Sequence, residues 1–332
     1  MWFEELTGFA EDAATIYSQL FYSNGQLYNN MNGRAFVCGE LSTPKLAELR
    51  QMVKPLQQAL AGKLRLSETV ADVQALHRDP SNAGAFFQVA SQFNLLEMVS
   101  PDKNPEHGIS NYQYDRTQGP ACAIACGADT IYRNYFVEVD GKVGQSKSRQ
   151  LDMLSDFAAA VGNTETQYWR MQNGYVLPTA QGLNVLDLRL SQCSEAALDE
   201  LRSQLRIGIQ SNTQVTLPHC QHLVTQAYCS ALPVAYCTFE SQQWVRFAQL
   251  ILDAAYEATF AAAVINAVAT GNNKVFLTLL GGGAFGNKTE WIVAAIQRAI
   301  RLYQHCALDV QIVSYGRARP EVRQLIADLN QP

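Results

Sequence analysis

Glycine is concentrated at one point of the chain, where Val275-Phe-Leu-Thr-Leu-Leu-Gly-Gly-Gly-Ala-Phe-Gly-Asn287 is followed by Lys288-Thr-Glu-Trp-Ile292. The chemistry such a stretch supports is anion binding. Gly281, Gly282 and Gly283 let the main chain turn sharply and let a ligand reach the backbone. Ala284, Phe285 and Gly286 complete the loop. Asn287, with Glu290 three residues on, has the form of a helix N-cap pair. N–H groups at a helix start lack carbonyl partners, and the helix dipole adds positive potential, so phosphate is the fitting ligand. A tight turn that merely needs glycine is the plainer reading, and three consecutive glycines weigh against it.

Thr117-Gln-Gly-Pro120 has the same character. A proline early in a helix, followed by the small residues of Ala121 to Ala128, predicts a helix starting near Gly119 and packed closely on a sheet. Thr117, Gln118 and Gly119 therefore form a second candidate anion-binding helix start. Three carboxylates lie nearby in sequence: Glu97, Asp102 and Asp115. A carboxylate at a reacting centre can move a proton or stabilise a developing cation. Each also has a structural reading. Asp115 can cap a turn or pair with Arg116, Asp102 before Lys103 can be a solvated turn residue, and Asn94 at a strand end can satisfy loop backbone groups. His77, His107 and His305 are isolated and are assigned no chemistry.

These residues need a scaffold. Val275 to Leu280 is a short, nearly continuous apolar run, as in a strand covered on both faces. Ala85 to Asn94 is a second strong strand and Asp309 to Tyr315 a third. The helix after the glycine loop carries Ile292, Ile296 and Ile300 at i, i+4 spacing, and Gln243 to Val268 is a long helix. Asp140-Gly141 marks a hairpin turn. Strands alternating with helices predict a three-layer α/β/α domain, and the hairpin makes its sheet mixed. In such sheets ligands bind beyond the carboxyl ends of the strands. Residues 1–62 read as a helical extension packed on a main domain of 63–332, with Leu46, Leu49, Met52, Val53, Leu56 and Leu60 at helical spacing.

Composition removes several function classes. A formal charge of −5, with Lys and Arg scattered, gives no basic field for nucleic acid or an anionic membrane. The acidic start, with Glu4, Glu5, Glu11 and Asp12, is unlike a secretory signal. The apolar run Ala258 to Ala269, interrupted by Asn266, is too short to span a bilayer. Eight cysteines spread through apolar segments of a long chain read as reduced, buried thiols, and a cytoplasmic location is the expectation. His219-Cys220-Gln-His222 lacks a second ligand pair at zinc-like spacing, so neither metal nor cofactor is expected.

Taken together, the two glycine-containing loops, the strand ending in Asn94 and the polar loop carrying Asp102, Asp115 and Thr117 resemble the macrodomain superfamily, including the poly(ADP-ribose) glycohydrolases. Gly281-Gly-Gly-Ala-Phe-Gly-Asn287 looks like the family's phosphate- and ribose-wrapping loop, which in those glycohydrolases also reads Gly-Ala-Phe-Gly. Gln88-Val-Ala-Ser-Gln-Phe-Asn94 looks like the strand that ends in the ribose-contacting asparagine. Ser91 to Glu97, Asp115 to Ala123 and Tyr228-Cys-Ser-Ala-Leu-Pro233 add a similarity to the divergent MavL-type subgroup, which removes ADP-ribose from ubiquitin. The resemblance spans roughly residues 70 to 316. It departs from the family in that Thr117-Gln-Gly-Pro120, after a long insertion, stands where a run of glycines is usual, and the paired glutamates of the glycohydrolases are absent.

The resemblance implies an ADP-ribosyl hydrolase that cleaves the bond at the distal ribose C1 of a modified protein. It implies a pyrophosphate clamped by backbone N–H groups of Gly119 and of Gly282 to Phe285. Asn94 would hold the distal ribose hydroxyls, Phe285 would pack on that ribose, and Trp169 or Tyr175 would cover the adenine. Asp72, beside Val73, is the counterpart of the adenine-contacting aspartate, with Asp79 as rival. The catalytic carboxylate does not transfer, and position along the chain ranks Asp115 before Asp102 and Glu97. A non-catalytic ADP-ribose reader would share the clamp and need no carboxylate. A generic nucleotide-binding enzyme is disfavoured by the absence of a Walker A or early Gly-x-Gly-x-x-Gly motif.

Overall fold

The structure, a computed structural model, describes residues 1–329. Its centre is a seven-stranded mixed sheet, whose strands we number along the chain: β1 Glu40–Ser42, β2 Arg65–Val70, β3 Phe86–Ala90, β4 Gly208–Gln214, β5 Leu223–Cys229, β6 Lys274–Leu277 and β7 Asp309–Ser314. The order across the sheet is β1-β4-β5-β3-β6-β7-β2. The five strands from β5 to β2 run parallel, while β4 and β1 pair antiparallel at one edge. All five parallel strands therefore deliver their carboxyl ends to the same side.

Helices cover both faces, which makes the expected three-layer α/β/α arrangement with a mixed sheet. On one face lies Ser241–Thr270, buried through most of its length between the sheet and the helices Leu46–Val53 and Thr289–Tyr303. Its apolar residues run all round the helix, as burial on every side requires, and Gly271 ends it in the left-handed region at φ 77°. At 30 residues it is long and apolar enough to cross a membrane, which the shorter run Ala258–Ala269 had not suggested, but it is folded into the core. On the other face sit Val73–Arg78, Gln118–Ala125 and Gly127–Ile131. The hairpin at Asp140-Gly141 is present, with both residues at positive φ, but it forms a separate two-stranded sheet, so the antiparallel strands β4 and β1 and not this hairpin make the main sheet mixed.

Residues 1–62 depart from the helical reading. Leu20–Ser23, Gln26–Asn29 and Ala35–Val37 form a three-stranded antiparallel sheet, and β1 joins the main sheet beside β4. The apolar spacing does produce a helix over Leu46–Val53, but upstream the turns at Asn24-Gly25 and Gly33, all at positive φ, fold the chain into hairpins. This segment builds a second hydrophobic cluster of its own. Trp2, Phe3, Leu6, Ile16 and Leu27 pack there against Leu96, Ile109, Tyr112 and Ile131, so it braces the loops that follow β3.

Candidate functional site

A cleft of about 480 Å³ opens across the carboxyl ends of the five parallel strands. Each strand contributes its following loop: Ala71 to Gln74 after β2, Ser314 and Tyr315 at the end of β7, Thr278 to Phe285 after β6, Ser91, Gln92 and Glu97 after β3, and Ala231 and Tyr236 after β5. Four inter-strand spacings of about 4.8 Å make the cleft roughly 19 Å long.

The glycine loop forms its middle. Gly281 lies at φ 73° and Gly286 at φ 70°, and a Cβ on Gly281 would stand 2.5 Å from that of Ala231. Those two glycines are required by the turn itself. Gly283 is different: its φ is ordinary and nothing lies within 4 Å of the position a Cβ would take. The N–H groups of Gly282, Gly286 and Asn287 bond to Leu279, Gly283 and Gly281. Those of Gly283, Ala284 and Phe285 have no protein acceptor among the described residues, which leaves three successive donors at the cleft. Asn287 is not the N-cap its position suggests. Its side chain is buried and donates to the carbonyls of Leu232 (2.8 Å) and Gly281 (3.4 Å), closing the loop from behind, and Lys288 occupies the cap of Thr289–Tyr303.

Opposite lies the start of the Gln118–Ala125 helix, with Thr117 at the N-cap. A Cβ on Gly119 would come 2.0 Å from the Ala90 carbonyl oxygen, so only glycine lets this helix begin against the end of β3. Among the described residues the N–H groups of Gln118 and Gly119 are also without a protein acceptor. Two sets of free donors thus line one cleft, joined at its edge by the exposed cations Arg116 and Arg319. At the β2 end, Asp72 lines the cleft while accepting the Gln74 N–H at 2.7 Å, and Val73 is buried beside it. At the other end, Tyr175, Tyr236 and Phe285 make an aromatic trio with centroids 5.2–5.7 Å apart.

The carboxylates separate. Asp115 lines the cleft, half-buried, and its Oδ1 accepts the Thr117 N–H at 2.9 Å, which fixes the turn before the helix. Asp102 lies outside the cleft, exposed, 3.4 Å from Gln172 Nε2. Glu97 lines the cleft and is only 2% exposed. Burial pushes its carboxyl up to about 7 from the ordinary 4.5, against the pull of Arg133. Its backbone N–H donates to the Tyr112 hydroxyl at 2.9 Å, and Arg133 Nη1 donates to Oε1 at 3.2 Å.

Asn94 is not brought to the cleft. The chain after β3 turns inward, with Leu95 in the left-handed region at φ 63°, a costly conformation for leucine. Asn94 is fully buried in that turn, accepting the Leu96 N–H (3.1 Å) and donating to Gln150 (2.8 Å). The polar group presented in its place is Gln92, whose Oε1 also holds the Met98 N–H at 2.7 Å. Trp169 lies in the core against Phe157 and Phe247, so of the two candidate aromatics only Tyr175 reaches the cleft.

Arg133, Gln92, Tyr236, Arg116 and Arg319 are contributions that motif reading passed over. For Arg133 a signal existed: Asp129 and Arg133 stand at i, i+4 in an otherwise apolar helical stretch, the pattern of a buried ion pair. Among the described residues no group of three His, Cys, Asp or Glu side chains is placed to hold a metal.

Neither a protein-family model nor a curated protein sequence matches the chain. Among solved structures it is similar to poly(ADP-ribose) glycohydrolase from Deinococcus radiodurans in complex with ADP-ribose, at 9% identity, covering 87% of this chain and 95% of that one with a TM-score of 0.47. It is also similar to the enzyme from Thermomonospora curvata bound to the inhibitor ADP-HPD, at 12% identity, 95% coverage of both chains and a TM-score of 0.45. Likeness at this level assigns no residue a role, and the functional reading rests on the cleft.

Proposed function

We propose that the protein is an ADP-ribosyl hydrolase, which binds ADP-ribose along the cleft and removes it from a modified protein. One observation carries the reading: a buried carboxyl whose proton is lost only near neutrality, Glu97, faces the same cleft as two sets of unpaired backbone donors. Donors without acceptors suit a diphosphate, and a carboxylic acid still protonated near neutral pH suits a general acid. The cleft's length suits a ligand with a base at one end, a diphosphate in the middle and a sugar at the other. In this reading the adenine lies near Asp72, Val73 and Tyr315. The N–H groups of Gly283, Ala284, Phe285, Gln118 and Gly119 hold the diphosphate, and the distal ribose lies between Glu97 and the Tyr175–Tyr236–Phe285 trio.

The reaction is a glycoside cleavage through an oxocarbenium-like transition state. The bond from ribose C1 to the acceptor atom breaks, its electron pair leaves with the acceptor, and Glu97 supplies the proton that neutralises it. Water then adds its oxygen to C1 and returns a proton to Glu97, which regenerates the acid. The fixed donors act by holding the diphosphate, so that C1 is presented to Glu97 without loss of orientation. Ubiquitin is the acceptor suggested by the sequence resemblance.

The test incubates the protein with ADP-ribosylated ubiquitin and with an auto-ADP-ribosylated polymerase, quantifies free ADP-ribose, and titrates ADP-ribose calorimetrically. Release from at least one substrate, lost in Glu97→Gln while binding persists, is expected. Binding without release from either substrate overturns the hydrolase and leaves a reader. Tight ATP or NAD binding with no response to ADP-ribose overturns both.

A further inference from the structure

Behind Glu97, buried charges continue away from the cleft. Arg133 is fully buried and bridges two carboxylates, with Nη1 3.2 Å from Glu97 Oε1 and Nε 3.2 Å from Asp129 Oδ1. Asp129 is likewise fully buried, and its second oxygen meets the Tyr228 hydroxyl, which also reaches Gln226 Oε1 at 2.6 Å. The guanidinium lies 3.8 Å above the Tyr228 ring.

The surroundings of this triad isolate it. Around Glu97 stand Arg133, Asp129, Tyr112, Tyr228 and Cys122; around Asp129 stand also Cys38, Cys126 and Tyr132. Burial pushes every one of these thiols and phenols up, so they stay neutral. What remains is one cation facing two acids. With both acids ionised the buried cluster would carry an uncompensated negative charge in a low-dielectric site, so one of them holds its proton above the ordinary carboxylate range.

We infer that Asp129 is a positioning residue that sets the proton occupancy of Glu97 through the guanidinium they share. This rests on the reading of Glu97 as the acid of the cleft. With Asp129 present, Arg133 divides its attraction between two carboxylates, and Glu97 retains the proton it is to donate. With Asp129 made neutral, Arg133 serves Glu97 alone and draws it into the ionised form. The two acids therefore titrate as a pair.

The test is Asp129→Asn, which keeps the side-chain shape and an oxygen for Arg133 Nε. In the full-length protein the Glu97 carboxyl is followed by carbon-13 NMR, assigned by its disappearance in Glu97→Gln. Its midpoint is expected to fall by about one to two pH units in Asp129→Asn. The alkaline limb of kcat should fall with it while KM for the ADP-ribosylated substrate holds. An unmoved Glu97 midpoint overturns the proposal, whatever turnover does. If Asp129→Asn does not fold, the unaltered protein decides: a two-step Glu97 titration supports the pair and a single step overturns it. Full turnover by Glu97→Gln would instead remove Glu97 as the acid, and the carboxyl titration would still test the pair.

Discussion

Arg133 Nη1 lies 3.2 Å from Glu97 Oε1, and both side chains are almost wholly buried, Glu97 at the wall of the cleft. The same guanidinium donates to the Leu95 carbonyl, so it holds the left-handed turn after β3 as well as the carboxylate that the turn presents. Arg133→Met should therefore cost stability in a pH-dependent way. At pH 8 the substitution leaves two buried carboxylates without a cation, a loss of about 3–5 kcal/mol. At pH 5 the Glu97 carboxyl, raised to about 7, carries a proton and part of that loss is recovered. Urea denaturation at the two pH values checks this, and an equal loss at both would show that charge is not what Arg133 contributes.

Turnover should decline on the alkaline side. The Glu97 carboxyl is raised to about 7, first by burial, so the acid form is the majority below that pH and the minority above it. The rate should fall about tenfold per pH unit once the acid form is scarce. The same shift has a stability consequence of known sign. A folded-state value raised above the ordinary 4.5 contributes fully below 4.5 and is lost as pH rises through 7. Initial rates paired with thermal melts separate the two effects, because the rate should fall while the protein is still fully folded. A rate that is flat from pH 6 to 9 would exclude Glu97 as the acid.

The glycine loop allows a sharper contrast. Gly281→Ala forces φ 73° on a residue with a Cβ and sets that Cβ 2.5 Å from Ala231, so destabilisation of about 1–3 kcal/mol is expected. Gly283→Ala meets no protein atom within 4 Å and has an ordinary φ, so the melting temperature should stay unchanged. Its methyl group instead stands beside the free donors at Gly283 to Phe285, and ADP-ribose affinity should fall about tenfold or more, by roughly 1.4 kcal/mol. Calorimetric titration of a Gly283→Ala protein that binds as tightly as the original would remove this loop from the ligand.

The glycine loop, the helix start at Gly119 and the parallel core were legible because each is written in local residue types. Three glycines after an apolar run permit few alternatives, and small residues behind Gly119-Pro120 announce close packing on a sheet. What escaped was set by tertiary direction. The strand stops at Ala90, short of the expected end at Asn94, and the left-handed turn at Leu95 draws Asn94 inward and presents Gln92 and Glu97, a reversal of facing that no spacing rule records. Residues 20–42 form strands because turns at Asn24-Gly25 and Gly33 fold them into hairpins and Glu40–Ser42 pairs with β4, while the helical apolar pattern further along produces a helix only over Leu46–Val53. The ranking of the carboxylates changed for the same reason: burial, which separates Glu97 from Asp102, is a property of the folded surroundings and not of the residue type.

Asp115 and Glu97 can now be told apart by experiment. Asp115 Oδ1 accepts the Thr117 N–H, a bond that asparagine can keep through its own carbonyl oxygen and alanine cannot. If Asp115 only shapes the start of the Gln118–Ala125 helix, Asp115→Asn should retain turnover within about threefold, whereas Asp115→Ala should loosen the helix start and weaken ADP-ribose binding. Glu97→Gln should lose turnover by about 10²–10⁴-fold with binding intact, since the amide fills the same space but has no acidic proton to give. Release of ADP-ribose and its binding, measured side by side for the three variants, check the assignment. Loss of turnover in Asp115→Asn with full turnover in Glu97→Gln would move the chemistry to the exposed edge of the cleft and leave the buried Glu97–Arg133 pair a structural one.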